Sequence, residues 1–376
     1  MPAQPKNKRP PIQKPVSVRK ETVKRKNLLL RSVPVYVFLL LTIIPVCTLG
    51  LYFHFVTKKA NSNRIYEGST EHDQTVKVVR GNGKVLIHPL LFVEIESEKV
   101  LDPLKIKINN YLEQKKQENA FMSTSVYVKD LNAGRYMSIN PDSLYDPASI
   151  LKVPLLIIYL KQAETNPGIL KKSLFFKGES QNVAIRSIKD QSLVAGRSYT
   201  VEELLHYMIV YSDNEAFWML CENIGDEDNE FKKLDAELDI PEKFDIIHYP
   251  ASDQHFIASA NSVAHYFNVL YNASYLNNAM SEYALNLLTK SNFKEGIIKQ
   301  IDPGVTIAHK FGERTLSYMQ AGKSVDLLTE FHEFGIVYLK NRPYLIGVMT
   351  RGMKSNALQT MVSDISKIVY DELKAN

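Results

Sequence analysis

The chain has 376 residues, 45% of them hydrophobic, with 16 Gly and 17 Pro, which is enough for a full core and too ordinary for a fibrous or low-complexity protein. The formal net charge of +5 does not signal a nucleic-acid binder, because ten Lys and Arg precede residue 33 against the single acid Glu21; what remains is slightly acidic and leaves no basic face. Two cysteines and nine histidines without an HExxH spacing argue against an internal disulfide scaffold and give metal hydrolysis no support.

Residues 1–32 form the basic arm. It runs into VPVYVFLLLTIIPVCTLGLYFHFV, Val33 to Val56, which carries no charge and exceeds the roughly 20 residues that span a bilayer as a helix. A signal peptide would have a shorter apolar core and a small-residue cleavage site. Val46 also stands where lipid attachment to Cys47 would require a small residue. We expect a transmembrane helix over residues 33–57 with the lipid bilayer as its partner. The positive-inside bias then makes the N-terminus cytoplasmic and everything beyond about Thr57 extracytoplasmic. This describes a single-pass protein of the cell membrane.

Residues 58–100 are mixed. NSNRIYEGSTEHDQT reads as a polar tether, whereas KVLIHPLLFVEIE is apolar enough to pack as a strand or an embellishment of the domain that follows. That domain, 101–376, opens with DPLKIKINNYLEQKKQE, where Asp102 is placed as a helix N-cap before a proline. Two alternating segments then meet at Asn132-Ala133-Gly134, a hairpin signal. Helical periodicity dominates from about Ile150 to Leu288. Four strand-like segments follow (GVTIAHKFG, RTLSYMQAG, EFGIVYLK, YLIGVMTRG), then a helix from about Asn356 to Leu373. The expected fold class is α/β (α+β), an antiparallel sheet flanked by helices plus a helical lobe.

Within the helical part, DPASILKVPLLIIYL places Ser149 at the start of an apolar run and Lys152 one turn on, so the two side chains share a face. Burial of such a helix would strip water from the ammonium and lower its pKa, producing a base for an otherwise weak nucleophile. The helix N-terminus would add N–H groups and a positive field where an oxyanion forms. A serine cap followed by a solvated lysine accounts for the pair equally well. Ser17 with Lys20 and Ser291 with Lys294 repeat the spacing without a long apolar helix behind them. In YMIVYSDNEAFWML, Ser212-Asp213-Asn214 interrupts one apolar segment and starts another, and reads as a helix cap or as a proton bridge with an amide for a substrate carbonyl. In IAHKFGERTLS, Lys310 and Gly312 lie near the expected end of a strand, where the lysine could hold a carboxylate and the glycine could let backbone approach a ligand. AGKS at Ala321–Ser324 lacks the glycine of a phosphate loop, since Ser317 stands at its position, and GNGK at Gly81–Lys84 is a turn. Phe217 and Trp218 are expected in the core.

These three elements occur in one order, with Ser212 and Lys310 placed 63 and 161 residues after Ser149. From about Leu101 onward the chain resembles the penicillin-recognising serine enzymes, class A β-lactamases in particular. The resemblance implies that Ser149 forms an acyl-enzyme, that Lys152 is base or proton relay, that Ser212 assists, and that Asn214 and Lys310 orient the substrate. It also implies an oxyanion hole from the N–H groups of Ser149 and Glu313, Gly312 as a further substrate-binding residue, and no cofactor. The substrate would be a β-lactam or a cell-wall peptide. Two departures stand out. Phe311 replaces the hydroxyl residue that follows the lysine in the family. DIIHYPASDQHFIASANS lacks the Glu-x-x-x-Asn that activates the deacylating water, and Asp253 is its nearest carboxylate. Alternatives to a β-lactamase-like hydrolase are a D,D-peptidase and a tethered sensor or binding module.

Overall fold

The computed structural model describes residues 64–70, 73–80, 84–87, 89–94, 101–178, 193–240, 247–248, 254–255, 257–320 and 323–375. The basic arm, the apolar run Val33–Val56 and Asp253 lie outside these residues. Among the described residues no helix is long and apolar enough to cross a membrane.

Three antiparallel strands, β1 (Arg64–Thr70), β2 (Asp73–Arg80) and β3 (Leu90–Glu94), form a small sheet; much of the stretch read as a polar tether is therefore strand. Between β2 and β3, Leu86 and Ile87 are buried in the core of the main domain. Leu86 N–H donates to the Glu282 carboxylate at 3.0 Å and its carbonyl accepts from Tyr338 Oη at 2.9 Å.

Helix α1 (Asp102–Gln117) follows. Its cap is Leu101 rather than Asp102, which makes no cap hydrogen bond and lies in the first turn, where its charge still favours the helix dipole. Leu104, Ile108 and Leu112 form the buried stripe. The hairpin at Asn132–Gly134 joins β4 (Ser123–Asp130) to β5 (Tyr136–Ile139). Asp130 Oδ1 accepts from the N–H groups of Asn132 and Ala133 at 2.9 Å each, and Gly134 supplies a φ of +75°.

The helical lobe begins with a 3₁₀ turn, Ala148–Leu151, continued by α2 (Lys152–Thr165). Every residue from Val153 to Leu160 is buried, as expected of a helix apolar on all sides; each fully buried Leu or Ile contributes roughly 1.5–3 kcal/mol. The strands β6 (Ser173–Phe176) and β7 (Arg197–Thr200) pair, and α3 (Val201–Val210) starts at a capping box between Thr200 and Glu203. Then come α4 (Asn214–Ile224), α5 (Glu227–Glu237), the short pair β8 (Ile247–His248) and β9 (Gln254–His255), α6 (Ala260–Asn272) and α7 (Asn278–Thr289).

The C-terminal strands are β10 (Ile307–Gln320), β11 (Lys323–Val337) and β12 (Tyr344–Gly352), closed by α8 (Ser355–Ala375). Two segments read separately around Gly312 are one strand. The glycine does not end it; it permits a close approach described below. The five-stranded antiparallel sheet runs β10-β11-β12-β4-β5, with Lys310 opposite Phe334 and Val348 opposite Val126. Alternation along the strands splits the core. Ala308, Phe334 and Met349 pack with α2, α3 and α6, while Phe331, Val348 and Val126 pack with α1 and α8. β10 is thus an edge strand, and its outer edge meets the 3₁₀ turn that carries Ser149.

Candidate active site

The turn that carries Ser149 is held by its neighbours in sequence and by β10. Asp146 Oδ1 accepts from Ala148 N–H at 2.9 Å, and Ala148 adopts φ +47° immediately before Ser149. Left-handed backbone at a residue with a Cβ costs about 1–2 kcal/mol, and here it lifts Ser149 onto the start of the buried helix. Gly312 makes this possible: a Cβ there would lie 2.5 Å from Pro147 O and 3.1 Å from Ile150 N. The space that Gly312 provides is thus taken up by the turn that carries Ser149, not left open for a ligand as the sequence alone suggests.

Lys152 is 2% exposed. Its Nζ lies 2.6 Å from Ser212 O, 2.6 Å from Asn214 Oδ1, 3.0 Å from Ser149 Oγ and 3.2 Å from Ser212 Oγ. Burial pulls its pKa down to about 7, against a smaller upward pull from Asp213. The two closest acceptors are carbonyl oxygens, which cannot donate. A neutral amine gives its two N–H groups to them and turns its lone pair toward the hydroxyls, where it can take the Ser149 proton. The solvated-lysine reading of the pair does not fit this burial. The spacing decoy behaves differently: Lys294 Nζ donates to the Ser291 carbonyl at 3.0 Å, and no hydroxyl is engaged.

Ser212 sits between α3 and α4 at φ +53°. Asp213 is the N-cap of α4, accepting from Ala216 N–H at 2.8 Å, and Ser212 Oγ lies 3.2 Å from the Lys152 amine. Asn214 is the first residue of α4, and its amide oxygen accepts from Lys152 Nζ.

Lys310 is fully buried, and its Nζ donates to Ser212 Oγ and to Phe311 O, each at 2.8 Å. Desolvation, then the nearby charge of Lys152, hold its pKa well below that of an ordinary lysine, with Glu333 opposing. Lys310 is four residues into its strand, not at the strand end, and it is not solvated. The Phe311 ring is 2% exposed, stacked on Phe293 at a centroid distance of 3.9 Å, with the Lys310 ammonium 4.5 Å from its centre. The ring therefore belongs to the core beneath the site. Glu313 follows on β10, and its carboxylate accepts from Ser355 Oγ and Gln359 Nε2 of α8.

Several supporting residues were not singled out from sequence. Glu330 Oε2 accepts from Asp146 N–H at 2.7 Å, Arg314 Nη1 pairs with Asp146 Oδ2 at 2.8 Å, and Arg351 pairs with Glu330. His332 Nε2 donates to Asp146 O at 2.9 Å while its Nδ1 accepts from Thr350 N–H at 3.2 Å, which defines a neutral tautomer. Beneath Lys310, His309 Nδ1 lies 2.6 Å from Glu333 Oε1, and Glu333 Oε2 accepts from Ile297 N–H at 2.7 Å. The available signal was TEFHEFG, whose Glu330, His332 and Glu333 are all buried: ionisable residues interleaved with Phe in a strand between two layers. Phe217 is in the core as expected, but Trp218 is 48% exposed, edge-on to it.

The model of the Beta-lactamase enzyme family matches residues 103–373. The chain belongs to that family. With Ser149 and Lys152 in contact at its centre, the domain is a β-lactamase-like serine hydrolase. Solved structures share the fold at low identity. PBP-A matches with a TM-score of 0.60 at 18% identity, over 75% of this chain and 100% of its own. The TLA-3 extended-spectrum beta-lactamase matches at 0.61 and 19%, over 73% and 99%, and a beta-lactamase from Chitinophaga pinensis DSM 2588 at 0.58 and 18%, over 73% and 100%. No curated protein matches the sequence.

Proposed function

We propose that this β-lactamase-like protein is anchored in the cell membrane through residues 33–57 and acts outside the cell by acyl transfer from a β-lactam or a cell-wall peptide amide to Ser149. The observation that carries the reading is the buried Lys152 amine 3.0 Å from Ser149 Oγ, with its other close partners carbonyl oxygens. In the reaction Ser149 Oγ bonds to the acyl carbon as the C–N bond breaks. The hydroxyl proton goes to Lys152 Nζ and a proton reaches the leaving nitrogen through Ser212 Oγ. The Asn214 NH₂ steadies the substrate carbonyl side, and the N–H groups of Ser149 and Glu313 receive the oxyanion. Water then hydrolyses the ester. With Lys310 donating to it, Ser212 Oγ keeps its own hydrogen for the leaving group. Lys310 is placed to orient a substrate carboxylate, with Ser212 Oγ and Phe311 O as its acceptors in the free protein.

The missing Glu-x-x-x-Asn favours formation of the acyl-enzyme over its rapid release, which fits a D,D-peptidase or a penicillin-binding protein better than a fast β-lactamase. The soluble domain from about Lys58, incubated with a fluorescent penicillin, should be labelled in wild type and not in Ser149→Ala. Rapid hydrolysis of nitrocefin would instead favour a β-lactamase. An unlabelled wild type that also leaves wall peptides uncut would discard acyl transfer and leave a binding module. Protease protection of the N-terminus in sealed cells tests the anchor.

A further inference from the structure

Helices α3 and α7 meet beside the Ser212 turn, where Asp213 N–H donates to Tyr207 O at 3.2 Å and Asn292 N–H to Val210 O at 3.0 Å. Between the helices lies a groove of about 360 Å³ whose lining includes Glu202, His206, Tyr207, Tyr283, Asn286 and Lys290. That volume falls in the small-ligand range of about 300–1,000 Å³. On each helix the lining residues recur three and four apart, so each turns one face to the groove. Rings form the half-buried wall. Tyr207 is braced edge-on by Tyr199 at 5.7 Å and tilted against Tyr211 at 5.5 Å, and Tyr211 directly precedes Ser212.

The polar groups are of both kinds. Glu202 accepts from Tyr283 Oη at 3.2 Å, while the neighbouring Glu203 is held in the Thr200 cap. Burial, then the Lys290 charge, hold the His206 imidazole below the usual histidine range, so at neutral pH it offers one donor and one acceptor nitrogen. Asn286 and Lys290 stand exposed on the rim, where a ligand competes only with water. An apolar ligand would cover the Glu202 carboxylate and the Lys290 ammonium without giving them partners, and an ion of either sign would meet its like. A neutral polyhydroxylated ring meets both demands. Its C–H groups pack on the Tyr207 ring, and its hydroxyls donate to Glu202 and accept from Asn286 and Lys290.

We propose that this groove is a saccharide subsite that holds a neutral sugar ring against Tyr207, beside the leaving-group end of the active site. The term leaving-group end rests on the acyl-transfer reading above; the binding itself does not. Cell-wall glycan and other extracytoplasmic saccharides share this chemistry.

The test titrates the full-length chain, in a detergent without a sugar headgroup, with a tetramer of N-acetylglucosamine and with maltotetraose, followed by saturation-transfer NMR. Wild type should bind saturably, and a preference for the first sugar assigns the ring to an N-acetylated glycan. Tyr207→Ala should weaken binding about tenfold, the scale of one aromatic contact, and Tyr207→Phe should keep most of it. Asn286→Ala, on the exposed rim, should weaken it too and tests the same groove should Tyr207→Ala fail to fold. Absence of saturable binding to either sugar would overturn the proposal, as would binding that both alanine variants leave unchanged. Ser149→Ala should bind as wild type does, so a chain that takes sugar but no penicillin label sinks the acyl-transfer reading and leaves this one standing.

Discussion

Lys152 Nζ lies 3.0 Å from Ser149 Oγ and 2.6 Å from the Asn214 side-chain oxygen, at the start of a helix whose following residues, Val153 to Leu160, are all buried. The amine is satisfied by oxygens yet denied water, which costs the charged form more than the neutral one. Replacing it with Met should therefore separate chemistry from stability. Lys152→Met is expected to slow acylation about 10³-fold while leaving the melting temperature equal to wild type or above it at neutral pH. A variant labelled at the wild-type rate would remove Lys152 from the mechanism.

The same depressed pKa sets the pH dependence. Acylation should rise as pH passes about 7, where Lys152 becomes neutral, and level off above it. The unfolded chain keeps this proton up to the ordinary lysine range, so between the two values the unfolded state binds more protons than the native one. Stability contributed by the group therefore increases with pH across that window. Melting curves of wild type and Lys152→Met at about pH 6.5 and about pH 9 should show wild type gaining on the variant at the higher pH.

Gly312→Ala should damage function more than folding. Its methyl would fall 2.5 Å from Pro147 O, and backbone cannot swing aside as a side chain can, so either β10 or the nucleophile turn must move. A displacement near 1 Å of a reacting group costs about 100-fold in rate. Labelling kinetics beside a thermal melt would reveal it; unchanged kinetics would mean the turn is not set by β10.

Glu333 carries two of the deepest hydrogen bonds in the sheet, to His309 and to Ile297 N–H. Leaving buried hydrogen-bond partners unsatisfied costs about 1–3 kcal/mol. Glu333→Ala should lose that much in a denaturant titration, and a double-mutant cycle with His309→Ala should recover part of it as coupling. Additive losses would show that the pair is not energetically linked.

Phe311→Thr would restore the hydroxyl that the family carries after the lysine. It would also remove a ring stacked between Phe293 and the Lys310 ammonium. The variant should lose about 3 kcal/mol of stability, measurable by chemical denaturation. A neutral result would mean that the ring is not part of the core.

Local chemistry was legible without coordinates. The Ser149–Lys152 pairing needs only the helical repeat, and the burial of Val153 to Leu160 follows from that run's lack of a polar face. The Asn132–Gly134 hairpin needs only its turn residues, and α8 only its periodicity. Long-range decisions were not legible. Lys310 reads from sequence only as a residue near a strand end, because burial depends on what packs over a residue, and here its partner Ser212 is 98 positions away. Gly312 read as a strand end for the same reason, since the element it accommodates, the Pro147–Ile150 turn, is remote in sequence. The acids of β11 give no signal in the sequence because their partners, Asp146, Arg351 and Ile297, come from three other parts of the chain.

The amino-acid order alone thus determined which residues could react, since neighbours one helical turn apart meet wherever the helix lies. The tertiary structure decided what those residues are able to do. Whether a lysine is a base or a solvated cation depends on the water excluded around it, and that exclusion comes from packing segments that only the fold brings together.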